Sequence, residues 1–390
     1  MAGSRSTWSL ARSLRLEQLE RRQLLSVSPL GPEFPVNSEA FGAQRLFSQC
    51  PAAAVAMDLD GDFAVVWSSD GQDGDGEGVY AQRFSSSGVL QGSEFLVNTH
   101  AADAQTFPSI AMDADGDFVV TWSSLFQDHD IYGVYAQRFN AAGLPQGDEF
   151  QVNTCIAGNQ NYSAVAMDSD GDFVVTWTSS NQDGDRTGVF GQLYDSSGTP
   201  LGDEFQINTT TTNNQCYSSV DMDAVGNFLV TWTSQDQDGS AKGIFAQRYD
   251  ATGTALGTEF QVNTTTAASQ ELSAVSISAA GSVVVWRGFD TGTSTWNVHA
   301  QRFDSLGVAQ GGELLVGQGR NPSVALGTSN DFVIAWQSDD PSSTSPSDIY
   351  IQQYDSAGQP LQAALIVNDV AAGDQQSPSI ATDGDHLAVA

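Results

Sequence analysis

Tryptophan recurs along the chain at Trp67, Trp122, Trp177, Trp232, Trp286 and Trp336, at spacings of 55, 55, 55, 54 and 50 residues. A fixed period of this length means a row of supersecondary units, each unable to bury its apolar face alone. One unit reads Glu94-Phe95-Leu96-Val97-Asn98-Thr99, Pro108-Ser109-Ile110-Ala111-Met112-Asp113, Asp117-Phe118-Val119-Val120-Thr121-Trp122, then Gly133-Val134-Tyr135-Ala136-Gln137-Arg138-Phe139. Each run is short and β-rich, and Ala114-Asp115-Gly116 is a turn between two of them. Four strands per unit is the content of one propeller blade. The opening Glu-Phe-x-Val-Asn stands at Glu33, Glu94, Glu149, Glu204 and Glu259, and in weakened form at Glu313 and Leu365. The expected fold is therefore an all-β β-propeller of about seven four-stranded blades with the last incomplete. The repeats run 33–92, 93–147, 148–202, 203–257, 258–311, 312–363 and a truncated 364–390. The stretch ahead of them holds no obvious pair of spare strands with which to complete the seventh.

Alternation in the third run sets Phe118, Val120 and Trp122 on one face and Val119 and Thr121 on the other, both apolar enough to be covered by neighbouring blades. The Trp column is expected to pack between blades. The sharper alternative, indoles stacking on sugar rings, is the weaker expectation for a residue that recurs in every unit.

The 47 acidic and 14 basic side chains give a formal charge of −33, which excludes a general nucleic-acid binder and disfavours an anionic membrane surface. The longest apolar run, Pro51–Met57, is far short of the roughly 20 residues that span a bilayer, so no transmembrane helix is expected. Three cysteines, Cys50, Cys155 and Cys216, fall in different repeat columns and do not make a disulfide framework. Residues 1–32 break the composition: five Arg against two Glu, with Leu10, Leu14, Leu16, Leu19 and Leu24 at amphipathic spacing, suit a short helical or disordered basic segment. It has no continuous apolar core of an ordinary secretory signal. Leu19-Glu20-Arg21-Arg22-Gln23-Leu24-Leu25 resembles the L-E-P-R-x-L-L motif near the start of many exported proteins of planctomycete bacteria, with Arg21 at the proline position. That resemblance implies export and an extracellular or cell-surface place.

Carboxylates recur with the strands. Asp58, Asp60 and Asp62, then Asp113, Asp115 and Asp117, then Asp168, Asp170 and Asp172 stand at i, i+2 and i+4 around a glycine turn. Three carboxylates so spaced can converge on Ca²⁺, which takes six to eight oxygens, and these nine residues are the candidate metal ligands. Phe118 and Ser124 occupy the positions where an EF-hand needs its glycine and its bidentate Glu, so that motif is excluded. A second acidic loop follows each Trp, at Asp73 and Asp75, Asp128 and Asp130, Asp183 and Asp185, and Asp238, and the intervening strand places it at the opposite end of the blade. The plain alternative is that Asp-Gly makes an ordinary hairpin turn. Later units lose the carboxylates, reading Asp223-Ala224-Val225-Gly226-Asn227 and Ser278-Ala279-Ala280-Gly281-Ser282, so the charge does not make the blade. The repeats over 33–390, with runs such as Gly133–Phe139, resemble RTX-associated, hemolysin-type calcium-binding surface proteins of marine bacteria. They lack the Gly-Gly-x-Gly-x-Asp tract that binds calcium there.

Signatures of catalysis are sparse. His100, His129, His299 and His386 lie in four different columns, and neither G-x-S-x-G nor a phosphate-binding loop is present. Arg83, Arg138, Arg248 and Arg302, each followed eleven residues later by Glu, suggest a tie between adjacent strands. Near-equivalent units predict a non-catalytic binding or structural scaffold, whose partners would be surface glycans or other exported proteins. The alternative is a carbohydrate-active enzyme or lectin on the same architecture, for which paired carboxylates are abundant. An enzyme would gather unlike polar groups from several blades at the central funnel.

Overall fold

The computed structural model describes residues 33–38, 42–46, 53–338, 347–368 and 375–390. The basic segment 1–32, the export motif within it and Cys50 lie outside the described residues. The described chain is all-β. Blade 2 shows the pattern: Gln105–Met112 innermost, then Phe118–Leu125, Tyr132–Phe139 and the short outer Phe150–Gln151, every neighbour antiparallel. Blades 3 to 6 repeat it, and in blade 1 the innermost place is shared by Gln44–Arg45 and Val55–Met57, both paired with Phe63–Asp70. Blade 7 contributes Ile380–Thr382 and Leu387–Val389, whose inner strand packs between those of blades 6 and 1 and closes the ring. Ser379 makes that closure, its hydroxyl accepting the N–H of Ala54 at 2.9 Å.

The sequence repeat and the structural blade are offset by one strand. Glu-Phe-x-Val-Asn supplies the outer strand of one blade, and the rest of the same repeat builds the inner three strands of the next.

Both faces of each second strand are covered, as the alternation requires. Trp122, Trp177, Trp232 and Trp286 are fully buried, and Trp67 and Trp336 nearly so. Trp122 packs with Ala64, Val66, Val79 and Ala81 of the preceding blade. A stacked aromatic pair lies deeper in each blade, with Phe118 over Phe139 at 5.0 Å and Phe173 over Tyr194 at 4.8 Å. Phe95 and Phe150 reach these pairs from the outer strand of the blade before, at 5.4 Å each.

The Arg and Glu columns do not bond each other, contrary to the expected tie. Arg138 instead donates to the carbonyls of Ser196 and Ser197 in the hairpin of the next blade, Arg248 to Ser305, and Arg302 to Ser356. The glycine of that hairpin is obligatory: Gly198 has φ +82°, and a Cβ there would sit 2.9 Å from the Arg138 side chain. Glu204 reaches back, accepting the N–H of Thr154 at 2.7 Å and its hydroxyl at 2.8 Å. Each tie joins two adjacent blades.

Truncating one of these indoles removes its contacts with two blades. Trp177→Ala is expected to destabilise the protein by about 3–5 kcal/mol, read as a lower midpoint in chemical denaturation. An unchanged midpoint would refute the inter-blade packing role.

Candidate functional site: the central channel

The seven inner strands surround a cavity of about 370 Å³, walled by Ala, Val, Ile and Met from every blade. Two departures from the repeat give it character.

The first is a bulge. Register slips once in the inner strand of each of blades 2 to 6, between Thr106 and Ser109, Asn161 and Ala164, Cys216 and Ser219, Glu271 and Ala274, and Arg320 and Ser323. The residue inside the slip is left-handed in every case: Phe107, Tyr162, Tyr217, Leu272, Asn321 and, in blade 7, Ser377 have φ between +51° and +57°. Side chains other than glycine resist this conformation, at about 1–3 kcal/mol each, and bulges re-aim the side chain they carry. Phe107, Leu272, Asn321 and Ser377 line the cavity at one end, while Met112 and Thr382 mark the other. Phe107 begins a row of three half-buried rings: it lies 4.7 Å from Tyr162, and Tyr162 lies 5.0 Å from Tyr217. Blades 6 and 7 place polar groups in the same positions. Asn321 and Ser377 are both buried, and Asn321 Oδ1 and Ser377 Oγ have no hydrogen-bond partner among the described residues. The left-handed positions are thus aromatic in blades 2 to 4, apolar at Leu272 in blade 5 and polar in blades 6 and 7.

The second departure is Asp221. Its column holds Ala56, Ala111, Ala166, Ala325 and Ala381, with Ser276 in blade 5. Asp221 is the one carboxyl group among the described cavity-lining residues. Its Oδ2 accepts the N–H of Ile277 in the next blade at 2.8 Å, and Oδ1 accepts that of Met222 at 2.9 Å. Burial pushes the carboxyl up to about 6, against the lowering effect of those bonds and of Ser276. Ser276 makes the equivalent bond one blade on, to Leu326 N–H at 3.2 Å, so the position is also a clasp between blades.

The predicted carboxylates lie elsewhere. Asp58, Asp113 and Asp168 close the turn after each inner strand: Asp113 Oδ1 accepts the N–H groups of Asp115 at 3.0 Å and Asp117 at 2.9 Å, and the other two repeat this. Burial raises all three pKa values, opposed by these same bonds. Asp62, Asp117 and Asp172 clip the following hairpin, accepting the N–H of Ser86, Ala141 and Ser196 at 2.9, 2.8 and 2.8 Å. Asp60, Asp115 and Asp170 point to solvent. No group of three or more His, Cys, Asp or Glu is placed to hold a metal ion among the described residues. Two of each three carboxylates accept backbone N–H bonds in this structure. Blade 5 illustrates the turn role: without the Asp, Ser278 pairs directly with Gly281 in a two-residue hairpin. The second acidic loops lie at the other end of the second strand, as expected, and Asp128 and Asp183 close them by accepting the N–H of Asp130 and Asp185.

No known protein family matches this sequence, and no curated protein matches it. Solved structures do resemble the fold. A protein of unknown function from Dyadobacter fermentans superimposes with a TM-score of 0.52 at 10% identity, over 83% of this chain and 97% of its own. The polysaccharide lyase Uly1 gives 0.49 at 10% identity, over 93% and 89%, and an endo-arabinase from Bacteroides thetaiotaomicron gives 0.39 at 15%, over 69% and 95%. At such identities the likeness concerns the propeller alone.

The expectation of a non-catalytic chain is corrected here. It rested on equivalent units, and the positions lining the channel are not equivalent. Asp221 stands in a column of alanines, and the left-handed positions are aromatic in blades 2 to 4 but Asn321 and Ser377 in blades 6 and 7. The sequence reading overlooked these residues, although Phe107, Tyr162 and Tyr217 repeat at 55-residue spacing and Asp221 is a visible break in an alanine column.

Two outcomes follow. Because the folded pKa of Asp221 is raised, the native state holds its proton more tightly than the unfolded chain, and this contribution to stability is lost as pH rises through about 6. Asp221→Ser should therefore gain on the wild type by roughly 2–3 kcal/mol between pH 4 and 7 in denaturant titrations; a constant difference would refute the shift. Asp113→Ala should lower the midpoint by about 1 kcal/mol equivalent through loss of the turn bonds, equally with EDTA and with excess calcium. A calcium-dependent rise seen only in the wild type would give these carboxylates a metal role.

Proposed function

We propose that this protein is a carbohydrate-active or carbohydrate-binding propeller that engages a neutral glycan at the aromatic end of its channel. The observation that carries the reading is the unlike set of left-handed positions: Phe107, which lines the cavity, in a row of rings with Tyr162 and Tyr217, and unpartnered Asn321 Oδ1 and Ser377 Oγ two and three blades on from the last ring. A sugar ring is itself two-sided, with C–H faces that suit aromatic rings and hydroxyls at its edge that satisfy buried acceptors. Pockets of a few hundred Å³ with few convergent polar groups are the usual form of small-molecule sites. A neutral ligand is favoured because a net charge of −33 repels uronate or sulfated chains.

Asp221 supplies one group able to accept or return a proton near neutral pH. Hydrolysis of a glycosidic bond ordinarily takes two carboxyl groups, so the described lining residues support recognition with a single acid–base group. A place outside the cell is part of the proposal and rests on the resemblance of Leu19–Leu25 to the exported-protein motif.

Affinity electrophoresis and calorimetry on neutral and uronic-acid polysaccharides test the reading, with release of new chain ends followed in the same mixtures. Tyr162→Ala/Tyr217→Ala should weaken binding of a neutral glycan by tenfold or more while the melting midpoint stays near that of the wild type. Failure of the wild type to bind any neutral glycan, or equal binding by the double variant, would sink it.

A further inference from the structure

The loop between the second and third strands has one geometry in blades 1 to 4, and blade 2 alone of these fills it with large apolar side chains. Its left-handed residue is Gly71, Phe126, Asn181 and Asp236 in turn, with φ of +71°, +59°, +61° and +61°. Each donates its N–H to the carbonyl five residues on, Phe126 to Ile131 at 2.8 Å, and the Phe126 carbonyl accepts the N–H of His129 at 3.2 Å. Glycine, asparagine and aspartate tolerate this backbone, whereas a bulky aromatic residue resists it. The other three blades show that the turn closes without Phe126, and the ring gains no cover in exchange, being 54% exposed. A strained residue left on the surface in this way marks a position with a role beyond folding. Two more substitutions adjoin it. Ile131 stands where blades 1, 3 and 4 have Gly76, Arg186 and Ala241, and Ile156, in the link to blade 3, stands where the corresponding links have Ala101, Thr211 and Thr266. Both isoleucines are exposed, and Asp130 joins their loops by accepting the N–H of Gly158 at 2.8 Å. The patch therefore lies at the boundary of blades 2 and 3, the boundary across which Phe107 meets Tyr162. Ser123 pairs with Thr106, next to Phe107, and Phe126 is three residues further along the same strand direction, about 10 Å at the rise of a strand.

We propose that Phe126 is an outlying aromatic platform for the same neutral glycan, so that the site takes an extended chain with one end at the channel and its following sugars running outward over the boundary of blades 2 and 3. The proposal rests on the glycan reading above and adds to it a preference for long chains over short ones. One sugar held at Phe107 leaves Phe126 out of reach, whereas a chain covers both. The C–H face of a sugar suits an exposed ring, and Ile131 and Ile156 widen the apolar strip on which the chain would lie. Two backbone bonds fix Phe126 in a closed turn before any ligand arrives, which spares part of the ordering cost of binding.

The test is calorimetry on the 390-residue protein with soluble arabinan, xyloglucan, galactomannan and β-glucan, each beside the disaccharide and the octasaccharide of its own backbone. The wild type should bind an octasaccharide at least tenfold more tightly than the matching disaccharide. Phe126→Asn, which gives blade 2 the residue that blade 3 carries, should lower that ratio at least fivefold while raising the melting midpoint. Affinity and midpoint moving in opposite directions is what a merely structural Phe126 would not produce. A ratio that Phe126→Asn leaves unchanged, or a midpoint that falls, would overturn the platform and leave the channel reading standing. A wild type that binds none of the four glycans would remove both. Light scattering gives a further outcome: a dimer that Phe126→Asn dissociates, with the ratio unchanged, would assign the patch to a second copy and overturn the proposal as well.

Discussion

Everything in this propeller depends on an indole sandwiched between two sheets. A single four-stranded blade has apolar residues on both faces and no means of covering either. Trp122, Trp177, Trp232 and Trp286 remove that surface from water by lying flat between neighbours, and this packing sets how closely blades approach. The inner strands are consequently drawn together around an axis, and small residues become necessary there. Ala56, Ala111, Ala166, Ala325 and Ala381 are the outcome, and the cavity they leave is the space in which any departure becomes prominent.

The fold was legible because its determinants are local and repeated. The Trp spacing, the Asp-Gly turns and the alternation through Phe118–Trp122 all reported the same blade, and the structure agrees with each. The candidate site was harder to read for a physical reason. Repetition directs attention to what recurs, whereas a ligand site on a propeller consists of what fails to recur. The nine turn carboxylates drew attention through their spacing, yet the structure employs most of them as acceptors for nearby backbone N–H groups. Phe107, Tyr162 and Tyr217 were visible as a column, but nothing in their identity signals a positive φ. Such a backbone is imposed by the one-residue slip against the second strand, a relation between segments that no single segment encodes.

Asp221 joins the two themes. It is a clasp, since its carboxylate holds Ile277 of the next blade as Ser276 holds Leu326, and it is also an ionisable group in an otherwise uncharged wall. A serine meets the first need without burying charge. The presence of a carboxylate where a hydroxyl suffices, at a cost to stability near neutral pH, is the kind of local conflict that marks a position retained for something besides folding.

The offset between repeat and blade has a consequence for how such a ring can change size. Because each repeat begins with a strand that belongs to its predecessor, a duplicated copy enters the circle already stitched to both neighbours and exposes no raw edge. Growth or shrinkage by whole copies therefore keeps the same kind of joint between neighbours, and the register of copies is tested at the seam where first meets last.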